Sequence, residues 1–275
     1  MNAKKLPADL TARDFLKMLA VVLMIIDHIG YHFYPEMMWF RVLGRLSAPI
    51  WLFLVGYANT EEKPLYLWAA AVLVQLSAVI SGQYLLPLNI LFTILLMRHM
   101  RRAFVLSATA SPESLRGVFL ILIFSTLPSA ILFEYGAIAM NFVLIGFFVH
   151  HREKIYEVIA PRYIILFTVL TFFVFFLMEG LSLPTLDAAQ ALALLLGFVW
   201  LGGILWTFKS ATFPRLTKAL PFPLVWLIQI FGRHTLEIYV FHLILFRGIC
   251  MWLYPDQYGF MDWHWVPGSL VRAFF

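Results

Sequence analysis

The sequence is built from apolar segments that repeatedly reach the length of a bilayer-spanning helix, with short charged stretches between them. The hydrocarbon core of a membrane is ~30 Å thick, and a helix of about 20 apolar residues crosses it. The chain has 275 residues, of which 62% are hydrophobic and 13% are charged. Soluble domains carry about 25% charged residues. The pattern therefore predicts an all-α fold, a polytopic integral membrane helical bundle with about nine or ten transmembrane helices.

The apolar segments form one continuous series, which predicts a single integral membrane domain over residues 1–275. Residues 1–15 are predicted to be a cytoplasmic N-terminal segment, and residues 255–275 a C-terminal tail. The ninth span is short and flanked by prolines, so the total is nine or ten. The predicted spans are 16–34, 40–57, 65–81, 85–97, 118–133, 136–149, 164–178, 188–207, 224–231 and 235–253.

Basic residues concentrate in alternate segments between the predicted spans. The net charge of +5 would also suit a nucleic-acid-binding protein, but this placement follows the positive-inside rule. We therefore predict a lipid bilayer and no nucleic acid as partner, an inner-membrane location and a cytoplasmic N-terminus. The residues are Lys4, Lys5, Arg13 and Lys17, then Arg98, Arg101, Arg102 and Arg116, then Arg152 and Lys154, and finally Lys209, Arg215 and Lys218.

The first span carries ionisable residues where a membrane helix ordinarily has none. Such groups are costly at membrane depth and are functional candidates. Lys17 and His28 are eleven residues apart, so they share a helix face and lie ~16 Å apart along the axis. A cation near the surface and a proton-accepting ring below it suit a long anionic donor whose reactive end enters the bilayer. His28 is the candidate general base, and the alternative is a structural hydrogen bond between helices.

Two residues close to His28, Asp27 and His32, also carry ionisable side chains. Asp27 lies ~100° around the helix from His28, so it is expected to orient the ring indirectly or to pair with an arginine of the second span. His32 lies one turn beyond His28 at metal-ligand spacing. No carboxylate or cysteine near it completes a metal site, so no metal is predicted.

The second span contains Arg41 and Arg45, one helical turn apart. A buried guanidinium could pair with Asp27 or stabilise a developing oxyanion. Arg41 could instead extend to the membrane interface. Small residues and a proline surround Arg45 in the segment 44–49, as in membrane helices that pack closely or line a cavity.

Weaker candidates lie further along the chain and are assigned to substrate binding: Asn89, Glu134, Arg233 and His242. A structural role is an equal alternative for each. Arg233 and Glu237 are four residues apart and could simply pair with each other.

Several of these segments resemble the TraX family of pilin N-acetylases. They are Leu16-Lys17, the Met-Ile-Ile-Asp-His-Ile-Gly of 24–30, the Arg-Val-Leu-Gly-Arg-Leu-Ser-Ala-Pro-Ile of 41–50, the Asn-Ile-Leu-Phe-Thr of 89–93 and the Glu-Tyr-Gly-Ala of 134–137. A lysine followed eleven residues later by a histidine is also similar to the wider membrane acyltransferase superfamily. The segment Gly232-Arg233 with Tyr239 and His242 looks like that superfamily's last-helix pattern.

The resemblance implies an acetyl-CoA-dependent acetyltransferase that takes acetyl-CoA, or another acyl-CoA, from the cytoplasm as donor substrate. The acceptor would be an amine or hydroxyl of a membrane-associated protein, lipid or glycan, such as a pilin N-terminus. In this hypothesis His28 accepts the acceptor's proton, Asp27 orients its neighbours and Arg45, with Arg41, stabilises the oxyanion. The expected donor-binding residues are Lys17, Arg41, Arg98, Arg101 and Arg102.

Alternatives remain open at this point. Transfer could be direct or could pass through an acyl-histidine. The same buried charges could serve a proton-coupled transporter or flippase, although no internal repeat of the kind common in transporters is visible. The chain could also be a non-enzymatic partner subunit of a pilus or secretion apparatus. Cys250 is the single cysteine, so thiol chemistry and an internal disulfide are not indicated.

Overall fold

A computed structural model describes residues 8–58, 62–183 and 185–266. It is a helical bundle without named strands in these ranges, which confirms the predicted fold class. The helices are α1 (Ala12–Phe33), α2 (Met38–Gly44), α3 (Ser47–Ala58), α4 (Leu65–Ile80), α5 (Ile90–Ala108), α6 (Pro112–Ala130), α7 (Ile138–His150), α8 (Arg152–Tyr156), α9 (Pro161–Ser182), α10 (Ala188–Thr207), α11 (Pro214–Ala219), α12 (Phe222–Arg233) and α13 (Thr235–Leu253).

Each of the ten predicted spans corresponds to a helical segment. Within the described ranges, six segments are long and apolar enough to cross a membrane: α1, α2 together with α3, α6, α9, α10 and α13. The apolar helices α4, α7 and α12 are shorter. The protein is therefore a polytopic membrane protein, and nine or ten crossings remain a prediction.

The fourth predicted span, 85–97, has the wrong bounds. Pro87 cannot donate a helical hydrogen bond, and the segment before α5 is extended. Its Leu88 pairs with the chain after α6, donating to Leu132 O at 2.9 Å. Asn89 then caps α5 by accepting a hydrogen bond from Leu91 N at 3.1 Å, which sets the start of the helix.

The basic residues predicted to lie in a loop between the fourth and fifth spans are helical. Arg98, Arg101 and Arg102 belong to α5, and Arg116 belongs to α6. Arginine is a good helix former, so the helix continues past the end of its apolar stretch. The prediction that the fourth span ends at residue 97 therefore placed the end of α5 too early.

The structure adds detail at the two ends of the chain. A capping box begins α1, in which Thr11 accepts from Asp14 N and Asp14 accepts from Thr11 N. The helix therefore starts at Ala12, inside the predicted segment 1–15. Met261 N donates to Ile80 O at 3.0 Å, so the described part of the tail 255–275 folds back onto α4. Residues 1–7, with Lys4 and Lys5, and residues 267–275 lie outside the described ranges.

The centre of the bundle is α7, which is buried along most of its length against α3. Glycines permit this approach: a Cβ at Gly56 would overlap the carbonyl of Val143, and one at Gly146 would overlap the carbonyl of Phe53. Small residues serve the same purpose in other membrane helix pairs.

Helix α1 carries Lys17 and His28 and packs against α2, α3, α12 and α13. A Cβ at Gly44 would overlap the side chain of Asp27, and one at Gly232 would contact the backbone of Asp14. These close approaches bring the charged residues of α2 and of α12 against α1.

Candidate functional site

A cavity of about 520 Å³ lies beside α1, and we call it the central cavity. Lys17, Arg98 and Arg233, with Glu237, line it towards the first turns of α1, while Asp27 and His28 line it ten and eleven residues beyond Lys17. The wall between is mainly apolar and includes Met24, Leu54, Val55, Leu91 and Ile94. Its volume falls within the ~300–1,000 Å³ range of ligand sites.

His28 and His242 form a hydrogen-bonded pair that joins α1 to α13. His28 Nδ1 lies 2.7 Å from His242 Nε2, and His242 Nδ1 lies 2.7 Å from the carbonyl oxygen of Ile238. A carbonyl only accepts, so His242 Nδ1 carries a hydrogen. With both rings neutral, His242 Nε2 is then an acceptor and His28 Nδ1–H donates to it.

These hydrogen bonds determine which nitrogen of neutral His28 carries the hydrogen. In neutral His28 a hydrogen on Nδ1 leaves Nε2 with its lone pair, which is the form a general base needs. His242 was assigned to substrate binding from the sequence, whereas the structure makes it the hydrogen-bond partner of His28. No local pattern indicates this contact, since the two residues are 214 positions apart.

Asp27 pairs with Arg41. Pairing with an arginine of the second span was one of the two roles that the sequence predicted for Asp27. Arg41 Nη1 donates to Asp27 Oδ2 at 2.6 Å and to the Asp27 carbonyl oxygen at 3.2 Å. Both side chains are 13% exposed, so Asp27 holds the Arg41 guanidinium within the protein. Asp27 Oδ1 is buried without a hydrogen-bond partner among the described residues.

Arg45 pairs with Glu179 of α9 rather than with Asp27. Its Nε lies 3.0 Å from Glu179 Oε2, and the two side chains are 15% and 6% exposed. Arg45 and Arg41 are absent from the residues that line the central cavity. Both arginines therefore lie close to the cavity, but each guanidinium faces a carboxylate rather than the cavity.

The basic residues expected at the Lys17 end of the central cavity fall into two groups. Lys17 and Arg98 line the cavity, and Arg98 Nη1 donates to the Glu62 carbonyl at 2.7 Å. Arg101 is buried and Arg102 is exposed, and neither lines the cavity. The sequence placed all of these with the donor, and the structure brings only Lys17 and Arg98 to the cavity.

Arg233 also lines the cavity, and it pairs with Asp14 rather than with Glu237, which was the structural alternative left open by the sequence. Arg233 Nη2 lies 3.2 Å from Asp14 Oδ2, because Gly232 lets α12 contact the first turn of α1. Glu237 has a side chain that is 71% exposed.

Asn89 and Glu134 organise the start of α5. Asn89 Nδ2 donates to Ala71 O at 2.9 Å and to Gln75 Oε1 at 3.0 Å, so this side chain is occupied in structural bonds. Glu134 Oε2 accepts from Ile90 N at 2.7 Å while Glu134 also lines the cavity. Within the described ranges, no group of three or more histidine, cysteine, aspartate and glutamate side chains is placed to hold a metal ion.

Comparison with known proteins shows which family the chain belongs to. The model of the TraX family, described as TraX protein, matches residues 12–250. The chain belongs to the TraX family. It is also 27% identical over 254 residues to an uncharacterized protein of Rickettsia prowazekii (strain Madrid E), covering 91% of this chain and 96% of that protein. No solved structure matches.

Sequence reasoning missed two residues of this TraX-family site. Trp51 lines the cavity, and its buried Nε1 has no acceptor among the described residues; nothing in the local sequence distinguishes it from an apolar membrane residue. Glu179 did carry a signal, because it is a carboxylate at the end of a strongly apolar segment, where ionisable residues are functional candidates.

Proposed function

We propose that this TraX-family protein is an acyltransferase that moves an acetyl, or another acyl group, from acyl-CoA to an amine or hydroxyl. The observation that carries the proposal is the central cavity, which joins a cationic end to His28 through an apolar middle. Coenzyme A has the same order of chemistry, with phosphates at one end, a long arm, and a thioester at the other.

The cationic end is suited to the phosphates of the donor. Lys17, Arg98 and Arg233 supply ammonium and guanidinium groups that line the cavity, and such groups make strong charge-assisted hydrogen bonds to phosphate. Arg233 is already paired with Asp14, so Lys17 and Arg98 are the main contributors. The apolar wall covers the arm, and the unpartnered Trp51 N–H is a donor for one of its amide carbonyls.

His28 then acts on the acceptor. Its Nε2 takes the proton from the attacking amine or hydroxyl as the new bond to the thioester carbon forms. The tetrahedral intermediate collapses, the C–S bond breaks, and the coenzyme A thiolate takes that proton from His28. His242 holds the protonated ring through the Nδ1–H bond, as the third group of a catalytic triad holds its histidine.

The arginines of the second span act at one remove from the cavity. Arg41 fixes Asp27, and Arg45 is fixed by Glu179. Because each guanidinium faces a carboxylate and neither lines the cavity, the two ion pairs hold α1, the second span and α9 in place beside His28 rather than contact the oxyanion. We propose direct transfer, because His28 forms its side-chain hydrogen bond with His242 and not with a serine or cysteine of the described residues, although Ser47 also lines the cavity.

The acceptor is an amine or hydroxyl of a membrane-associated protein, lipid or glycan, of which a pilin N-terminus is one example. We place the protein in the inner membrane with its N-terminus cytoplasmic, so that acyl-CoA enters at the Lys17 end. The basic segments of the sequence support this orientation.

The test is turnover of acetyl-CoA labelled in the acetyl group by the protein purified in detergent. The wild type should transfer or slowly hydrolyse the label, and His28→Gln should lower the rate about 10²- to 10⁴-fold, the usual contribution of a general base. His99→Gln is the matched control, because His99 is exposed in the middle of α5 and does not line the central cavity. Loss of activity in both variants, or in neither, would contradict the assignment of His28, and an inactive wild type would favour a transporter or partner subunit.

A further inference from the structure

A second cavity, of about 370 Å³, lies at the end of α1 opposite Lys17, and we call it the distal cavity. Its walls come from the last turn of α1, the turn after α4 and the segment after α13. Four tyrosines and two glutamines supply most of its functional groups: Tyr31, Tyr84, Tyr254, Tyr258, Gln83 and Gln257.

Among the described residues, no formally charged side chain lines the distal cavity. Beyond the tyrosines and glutamines the lining consists of His32, Phe33, Pro35 and Gly82. Phenol hydroxyls and side-chain amides both donate and accept hydrogen bonds, and the aromatic rings offer flat apolar faces. A ligand that matches has alternating hydroxyl and C–H surfaces and no charge. An ammonium or carboxylate group would lose water there without gaining a partner of opposite charge.

One of these amides is held in a fixed orientation. Arg247 Nε donates to Gln83 Oε1 at 3.1 Å, and Arg247 is itself anchored by Nη1 donating to Val74 O at 2.7 Å. Because guanidinium only donates, the Gln83 carbonyl faces Arg247 and its NH2 group is the part left to donate to a ligand.

The turn that carries Gln83 is also fixed. Gly82 has a φ of +73°, and a Cβ there would lie 2.5 Å from the carbonyl oxygen of Gly259. This approach joins the turn after α4 to the segment after α13. The cavity is therefore bounded by packed backbone on two sides, as a pre-formed binding site is.

A layer of histidines lies between the distal cavity and the central cavity. His28 lines the central cavity and His32 the distal one, and their ring centroids are 6.4 Å apart. His32 Nδ1 lies 2.9 Å from the Tyr258 hydroxyl, so this pair separates a ligand in the distal cavity from His28.

We propose that the distal cavity binds a neutral, hydroxyl-rich ligand, a sugar or polyol. Because the pair of His32 and Tyr258 lies between this ligand and His28, the distal cavity is a binding site of its own, separate from the central cavity.

Binding is tested on the full-length protein without any acyl-CoA, by saturation-transfer NMR with glucose and glucosamine as matched probes. Below pH 7 glucosamine differs from glucose mainly in its ammonium group. Glucose should receive saturation from the protein and glucosamine should receive less. Gln257→Ala should weaken glucose binding roughly three- to tenfold, the effect of one lost hydrogen bond.

Gln229→Ala is the matched control, since Gln229 bonds to the Ala8 carbonyl at the opposite end of the bundle and should leave glucose binding unchanged. Gln83→Ala provides a second variant with the same expected loss. Stronger binding of glucosamine, absence of glucose binding by the wild type, or equal loss in the Gln229→Ala control would overturn the proposal. Failure of acetyl-CoA turnover with intact glucose binding would instead count against the acyltransferase function.

Discussion

Whether His28 Nε2 carries a hydrogen or a free lone pair depends on a chain of hydrogen bonds that ends at a backbone carbonyl. The Ile238 carbonyl fixes the hydrogen on His242 Nδ1, and His242 in turn fixes the hydrogen on His28 Nδ1. Outer partners of this kind set the tautomer of catalytic and metal-bound histidines elsewhere. His242 is in these terms a positioning residue.

Replacing His242 should therefore change the tautomer of His28 as well as the rate. We expect His242→Phe to lower acyl transfer about 10- to 100-fold, the range for loss of an orienting partner. His242→Gln should retain more activity, because its amide oxygen can still accept from His28 Nδ1–H. Nitrogen NMR of labelled histidines reads the tautomer directly. An unchanged His28 spectrum in His242→Phe would contradict the positioning role.

Two arginines of α5 that lie one helical turn apart give a second prediction for single residues, since Arg98 lines the central cavity and Arg102 does not. Arg98→Ala and Lys17→Ala should raise the KM for acyl-CoA and leave kcat nearly unchanged. The difference from wild type should shrink as salt rises, because exposed charges are screened. Arg102→Ala, on the exposed side of the same helix, is the control. Steady-state kinetics at two salt concentrations would detect equal effects of Arg98 and Arg102, which would contradict this cavity as the donor site.

At the scale of helices, the ion pair between Arg45 and Glu179 joins the second span to α9. Its side chains are 15% and 6% exposed. Breaking one partner of a buried pair leaves an uncompensated charge and typically costs 3–5 kcal/mol, whereas replacing both is often close to neutral.

Glu179→Ala should accordingly destabilise the protein by about 3–5 kcal/mol. The double variant Arg45→Met with Glu179→Ala should recover much of this loss. Thermal unfolding in detergent measures the two single variants and the double variant as a cycle. Additive effects would mean that the two residues do not depend on each other in the fold.

How far the sequence predicts these helices depends on how local the signal is. Apolar length alone locates all ten segments, and helical periodicity places Lys17 and His28 on one face. The interruption between α2 and α3 at Arg45 and the extension of α5 past Arg98 have no apolar signature, because there the backbone continues or breaks through packing. The contacts of His28 with His242 and of Arg45 with Glu179 join distant parts of the chain, and a single sequence does not encode them in any spacing.

For the whole molecule, the proposed orientation can be tested with cysteine labelling. Cys250 is the single native cysteine and is fully buried, so an introduced cysteine can be labelled against little background. A membrane-impermeant maleimide should label Glu36→Cys in intact cells whose outer membrane is permeable to it. Glu153→Cys should be labelled only after the inner membrane is opened. Both residues are exposed, and the reverse pattern would place the Lys17 end of the cavity outside the cytoplasm.

The histidine layer between the two cavities has an electrical consequence. Where open cavities enter a membrane protein from both ends, the voltage across the membrane falls mainly over the thin partition that is left. Here that partition holds His28, His32 and His242. A unit charge that crosses the full voltage gains or loses about 2.3 kcal/mol per 100 mV. The proton that His28 takes up and gives back in the proposed reaction moves within part of this field, so the membrane potential of the cell would enter the rate of that reaction.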